Sequence, residues 1–203
     1  MKLNLGCGAE VVDGWVNVDY SLGARLAKVP VVNAVVKTTG IFEIRWNPQI
    51  FIHDLTTRFP WQDNTADVVY TSHTLEHMSL SDGTTFLHEC VRVLKPGGIL
   101  RIIVPDLRPI VERYLARELL AENFLDEMCV LYSKYPSRLK TLLAPFVQYP
   151  HKCMYDKDAL ARACEKAGIG VTARQPFDSG IEDIHKIEIE SRTVDAAIIE
   201  GCK

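Results

Sequence analysis

The chain has 203 residues, of which 47% are apolar and 24% charged, and its formal net charge is −3. That length buries a core and favours one domain, and the balance is an ordinary globular one. The slight acidity argues against a dedicated nucleic-acid binder, which carries a basic stripe, and no stretch approaches the ~20 apolar residues that cross a bilayer.

In chain order, the opening MKLNLGCG has one lysine and no apolar run, unlike a secretory signal, so the expected location is cytoplasmic. Lys2–Leu5 reads as a strand, and Val16–Val18 as a second one ending at Asp19. Gly23–Lys37 has helical apolar spacing with Pro30 as a break. Gln49–His53 and Asp67–Thr71 read as strands three and four. Thr84–Leu94 reads as a helix stopped by Pro96-Gly97-Gly98, with Lys95 suiting its C-terminus. Ile99–Val104 is an apolar strand interrupted by Arg101. Pro109–Glu122 looks helical, and residues 123–150 form an irregular cap holding Pro136, Pro145 and Pro150. Asp156 resembles the N-cap of a helix ending at Gly168. Ile169–Arg174 and Val194–Glu200 are the final strands. Strands alternating with helices predict an α/β fold, a doubly wound and mostly parallel sheet. No linker divides it, so residues 1–203 read as one domain. The cysteines Cys7, Cys90, Cys129, Cys153, Cys164 and Cys202 fall in no C-x-x-C spacing and read as reduced thiols, with no metal site implied.

Leu5-Gly6-Cys7-Gly8 directly follows strand one. Glycines there admit a ligand close to the backbone, or simply make a tight turn. Asp19, at the tip of strand two, can accept both ribose hydroxyls of an adenosine, or start a turn. Asp54, after strand three, can contact an adenine amino group, or again form a turn.

Taken together, these sites occur in a telling order. Ser72-His73-Thr74-Leu75-Glu76-His77 follows strand four, and Arg92-Val93-Leu94-Lys95-Pro96-Gly97-Gly98 precedes strand five. The chain thus resembles the class I methyltransferases, specifically the type-11 methyltransferase domain. It is similar to a group of short predicted bacterial methyltransferases that share N-L-G-C-G, G-W-x-N-V-D, L-E-H and K-P-G-G. They also share V-P-D and H-x-x-M-Y-D, here Val104-Pro105-Asp106 and His151 through Asp156. The likeness covers residues 2–168 well and the last strands loosely. It implies a Rossmann-like sheet with a last antiparallel strand and S-adenosylmethionine as cofactor. Gly6, Cys7 and Gly8 would border the methionine moiety with Asn4 nearby. Asp19 would hold the ribose and Asp54 the adenine amine, while Ser72 and His73 would face the sulfonium. The acceptor implied is a small molecule or a saccharide, with no nucleic-acid or membrane partner.

Two departures stand out. Asn4 replaces the usual acid before the glycines, and the first helix is cut to a turn around Asp13-Gly14-Trp15. The second weakens a nicotinamide-dinucleotide reading, which needs a third glycine where Val11 stands and a helix N-terminus for the pyrophosphate. A degenerate methyltransferase fold serving as a binding or regulatory protein is the remaining alternative.

Methyl transfer to a hydroxyl benefits from a base, and histidine suits neutral pH. His53, His77 and His88 read as structural or solvent-facing, and His185 lies in a charged loop. His73, His151 and Asp106 remain as the catalytic candidates, with local hydrogen bonding as their alternative role.

Overall fold

A computed structural model describes residues 1–29, 46–132 and 148–203. Seven strands form one sheet: β1 (Lys2–Leu5), β2 (Trp15–Asp19), β3 (Phe51–Ile52), β4 (Ala66–Ser72), β5 (Leu94–Pro105), β6 (Thr172–Ala173) and β7 (Ala196–Cys202). Their order is β3-β2-β1-β4-β5-β7-β6. β1 to β5 run parallel and β7 runs antiparallel to both its neighbours. The parallel strands therefore all end on the same edge of the sheet. The chain reverses direction across the sheet between β1 and β4, where ligands bind in such folds.

The described helices are α1 (Leu22–Ala27), α2 (Leu80–Val93), α3 (Leu107–Leu115), α4 (Ala121–Glu127) and α5 (Lys157–Lys166). One face of the sheet presents Leu3, Leu5, Val69, Leu100, Ile102 and Ile199 to α2 and α5. α2 answers with Gly83, Phe86, Leu87, Cys90 and Val93 buried at helical spacing, and its first turn is capped by Ser79, whose Oγ accepts from the Asp82 amide. α5 starts where Asp156 accepts from the Ala159 amide at 2.7 Å and ends before Gly168, whose φ is +95°.

Among the described residues no α-helix covers the centre of the other face. Trp15, Val68, Tyr70, Ile103 and Ile198 are covered by Ile181, Ile184 and Ile187 of an irregular segment. Arg101 points into the same layer and is fully buried. All five of its N–H donors have acceptors. Nε and Nη2 bind the Glu188 carboxylate at 2.7 and 3.0 Å. Nη1 donates to Glu200 at 3.1 Å and to the Asp178 carbonyl, and Nη2 also to the Gln175 carbonyl. The residue that interrupts an apolar strand is thus the anchor of this covering segment.

The link from β1 to β2 is short for a parallel crossover, which commonly takes a dozen or more residues. Asn17 holds it closed. Its Oδ1 accepts from Asn4 Nδ2 and the Val12 amide, and its Nδ2 donates to the carbonyls of Val12 and Trp15.

The structure differs from the sequence reading in several elements. The expected helix over 109–122 is two helices. α3 begins two residues earlier because Asp106 caps it, placing Pro109 in the first turn where an absent N–H costs nothing. It ends at Leu115, and Arg117 adopts a left-handed φ of +61° before α4. Lys95-Pro96-Gly97-Gly98 is not a gap between helix and strand. α2 passes directly into β5 at Leu94, the register shifts once opposite Ala66 to Val68, and Lys95 pairs with Asp67 at 2.6 Å instead of the helix end. Strand three shrinks to Phe51–Ile52 and the sixth strand to Thr172–Ala173. Of the helical reading over 23–37, α1 is seen, and residues 30–45 lie outside the described part. So do residues 133–147 of the expected cap. Among the described residues no helix is long and apolar enough to cross a membrane.

Arg101→Met should lower unfolding free energy by about 3–5 kcal/mol, since it leaves two buried carboxylates without their cation. Urea denaturation measures this. A loss below about 1 kcal/mol would show that the network is not an anchor. Cys129 and Cys202 are exposed, whereas Cys7, Cys90 and Cys164 are buried free thiols. Iodoacetamide should therefore label the first two in the native state and the other three only after unfolding, as read by mass spectrometry.

Candidate active site

The site is built from the carboxyl ends of β1, β2 and β4. The chain leaves β1 through Gly6 and Gly8, both left-handed with φ of +73° and +61°. Amides of Gly6 and Cys7 donate to the Val18 carbonyl at 2.9 and 3.0 Å, which ties the turn to β2. A Cβ on Gly6 would sit 2.0 Å from Thr74 Oγ1, so this glycine lets the loops after β1 and β4 interlock. A Cβ on Gly8 would meet nothing within 4 Å, so the space above it is open.

Asp19 is buried at the tip of β2. Its Oδ2 accepts from the Gly8 amide at 2.9 Å and its Oδ1 from the Ser21 amide at 2.7 Å. A carboxylate oxygen accepts more than one hydrogen bond, so both retain capacity toward a ligand. Asn4 is engaged elsewhere, since its amide donates to Asn17 at 2.9 Å. The Cys7 thiol is buried beside Gly8, and burial together with the Asp19 carboxylate pushes it up to about 12. The group is therefore held as a thiol at neutral pH. Asp54 forms an Asx turn, its Oδ1 accepting from the Thr56 amide and hydroxyl at 3.0 and 2.7 Å.

At the end of β4, the buried Ser72 hydroxyl has no hydrogen-bond partner among the described residues. His73 adopts a left-handed φ of +53°, a conformation non-glycine residues hold at some cost. Its Nε2 lies 2.9 Å from the Arg192 carbonyl, which only accepts, so Nε2 carries the proton and Nδ1 the lone pair. That Nδ1 is 3.6 Å from Glu76 Oε1, and His151 Nε2 is 4.0 Å from the same oxygen. Burial lowers the pKa of both histidines. It pushes His77 down to about 4, aided by the neighbouring His151, and pushes the Glu76 carboxyl up to about 8. These are neutral imidazoles around a buried acid rather than ion pairs.

His73 and His151 are therefore brought together, whereas Asp106 is engaged as a cap, its Oδ1 accepting from the Arg108 amide at 3.0 Å. Sequence reasoning passed over Glu76 as an ordinary part of a motif and did not identify Arg192 at all. The first had a signal, an acid three residues after one histidine and adjacent to another. The second acts through its carbonyl, which any residue type provides.

Residues 3–102 match the family model described as a methyltransferase domain. Among solved structures, PH0226 from Pyrococcus horikoshii is 14% identical with a TM-score of 0.53, over 98% of this chain and 80% of that one. YcgJ from Bacillus subtilis is also 14% identical, with a TM-score of 0.52 over 99% and 90%. A SAM-dependent methyltransferase from Aquifex aeolicus is 17% identical, with a TM-score of 0.48 over 98% and 79%. PH0226 and YcgJ share the fold of this chain. Residues 3–102 are thus similar to the methyltransferase-domain family, whose class of chemistry is methyl transfer.

Proposed function

We propose that the chain binds S-adenosylmethionine across the tips of β1, β2 and β3 and transfers its methyl group to a small-molecule or saccharide acceptor beyond β4. The observation that carries this reading is the Gly6–Gly8 turn, with open space above Gly8 and its amide held by Asp19. The residues fit the cofactor. Gly6, Cys7 and Gly8 offer bare backbone to the methionine moiety. Asp19 retains lone pairs for two ribose hydroxyls, and Asp54 retains its second carboxylate oxygen for the adenine amine. Asn4 acts one step back, bracing the β1–β2 link through Asn17.

Bound there, S-adenosylmethionine would supply an electrophilic methyl carbon, its sulfur keeping the carbon–sulfur electron pair as the methyl passes to the acceptor's nucleophilic atom. Alignment of the two reactants within the crevice contributes up to roughly 7–11 kcal/mol. For a hydroxyl acceptor, His73 Nδ1 takes the proton, worth ~10²–10⁴-fold. The Arg192 carbonyl fixes the tautomer that makes Nδ1 the base. His151 lines the same corner, and Asp106 is read as a helix cap. The single-domain reading is retained, with the 123–150 segment as the acceptor-side wall. Its part over 133–147 lies outside the described residues.

Calorimetry should show binding of S-adenosylmethionine or its demethylated product and none of NAD, and the opposite pattern would overturn the reading. Asp19→Asn should weaken cofactor binding by about 1.5–3 kcal/mol, whereas unchanged affinity would put the ribose elsewhere. Gly8→Ala should cost about 1–2 kcal/mol of stability from its left-handed φ. It should also weaken cofactor binding by a further margin, because its methyl enters the open space. His73→Asn should lower the single-turnover rate with little change in cofactor affinity. Full-speed turnover by that variant would remove His73 from the chemistry.

A further inference from the structure

Immediately past β4, a short 3-10 turn (Leu75–His77) carries Glu76 and His77, and the chain returns to it at His151. The return is fixed by backbone: the Glu76 carbonyl accepts from the amides of Lys152 and Cys153 at 2.7 and 3.1 Å. Each of Glu76, His77 and His151 offers one ligand atom, and these three atoms lie within 4.8 Å of one another. Glu76 is only 1% exposed, and neither of its carboxylate oxygens has a hydrogen-bond partner among the described residues. The same holds for the buried Nδ1 atoms of His77 and His151. The two imidazoles are 5.0 Å apart and tilted by 59°, so they are not stacked.

Buried polar atoms are almost always satisfied, and a buried carboxylate needs donors, a cation or a metal. Here a carboxylate faces two imidazoles, and a neutral imidazole supplies one donor at most. A positively charged ligand at their centre would satisfy the carboxylate and take one nitrogen lone pair from each imidazole.

We propose that Glu76, His77 and His151 bind a single first-row divalent transition ion. One carboxylate oxygen and two imidazole nitrogens suit zinc, iron(II), cobalt or manganese, while calcium and magnesium favour sites made of oxygen alone. Ligand atoms about 2.0–2.2 Å from such an ion stand roughly 3–3.5 Å apart. The 4.0 Å between His151 Nε2 and Glu76 Oε1 therefore needs only a small contraction. Three protein ligands leave a coordination position open. Because the turn starts three residues past Ser72, an acceptor held beyond β4 could reach that position, where the ion would hold its oxygen and acidify its proton. This consequence rests on the proposed methyl transfer, whereas the ion site does not.

The test uses the full chain, stripped with a chelator and titrated with cobalt(II). The result expected is one equivalent bound, with visible ligand-field bands. Glu76→Gln and His151→Ala should each weaken binding at least tenfold while leaving the circular dichroism spectrum unchanged. Cobalt(II) should also raise the melting temperature of the wild type and of neither variant. Should a variant fail to fold, wild-type protein decides: cobalt(II) should protect His77 and His151 from diethyl pyrocarbonate, as mapped by mass spectrometry. Absence of one-equivalent binding, equal binding by both folded variants, or equal modification with and without the ion would overturn the proposal. Ion binding without S-adenosylmethionine binding would overturn the functional reading alone, and the reverse this inference alone.

Discussion

The buried guanidinium of Arg101 is the interaction on which the working edge of the molecule depends. In a doubly wound sheet both faces are normally roofed by helices, but here the face over β4, β5 and β7 is roofed by an irregular chain. An irregular roof contributes few apolar contacts and many backbone groups that need partners. Arg101 meets both needs, binding the Gln175 and Asp178 carbonyls and the Glu188 carboxylate of the roof together with Glu200 of the paired β7. Burying three charges is costly and is compensated only by such complete pairing. The same roof ends in Arg192, whose carbonyl holds His73 in its tautomer. The roof that Arg101 anchors thereby fixes where the lone pair of His73 lies.

The second constraint is the short link between β1 and β2. Without a helix between β1 and β2, no row of free amides and no positive helix end stands at the glycine turn, and these are what a pyrophosphate requires. A sulfonium ligand has no such need. What the turn keeps is bare backbone at Gly6 and Gly8 and a carboxylate at Asp19. Asn17 compensates for the missing helix by engaging both ends of the link. The short link thus suits the proposed sulfonium ligand better than a pyrophosphate.

Much of this was legible in the residues themselves. The apolar runs of β1 and β4, the Asp156 cap and the glycine turn carry local signals, and each stands where its pattern indicated. The split between α3 and α4 was not legible, because it depends on Arg117 adopting a left-handed backbone without a glycine to announce it. The passage from α2 into β5 was misread because Pro-Gly-Gly serves equally as a turn and as a bulge at a strand start. Arg101 looked like an exception in an apolar strand, since its partners lie some 75 to 100 residues away in sequence. Of the site, Gly6, Gly8 and His73 follow from position after a strand. The convergence of Glu76, His77 and His151 depends on a return of the chain that no local pattern encodes.

The most direct measurement is a crystal structure of the chain with the demethylated product of S-adenosylmethionine. The account predicts the ribose hydroxyls on the Asp19 carboxylate, the amino-acid moiety along Gly6–Gly8, and the sulfur facing Ser72 and His73. An adenosine bound away from Asp19, or a glycine turn with no ligand contact, would contradict it.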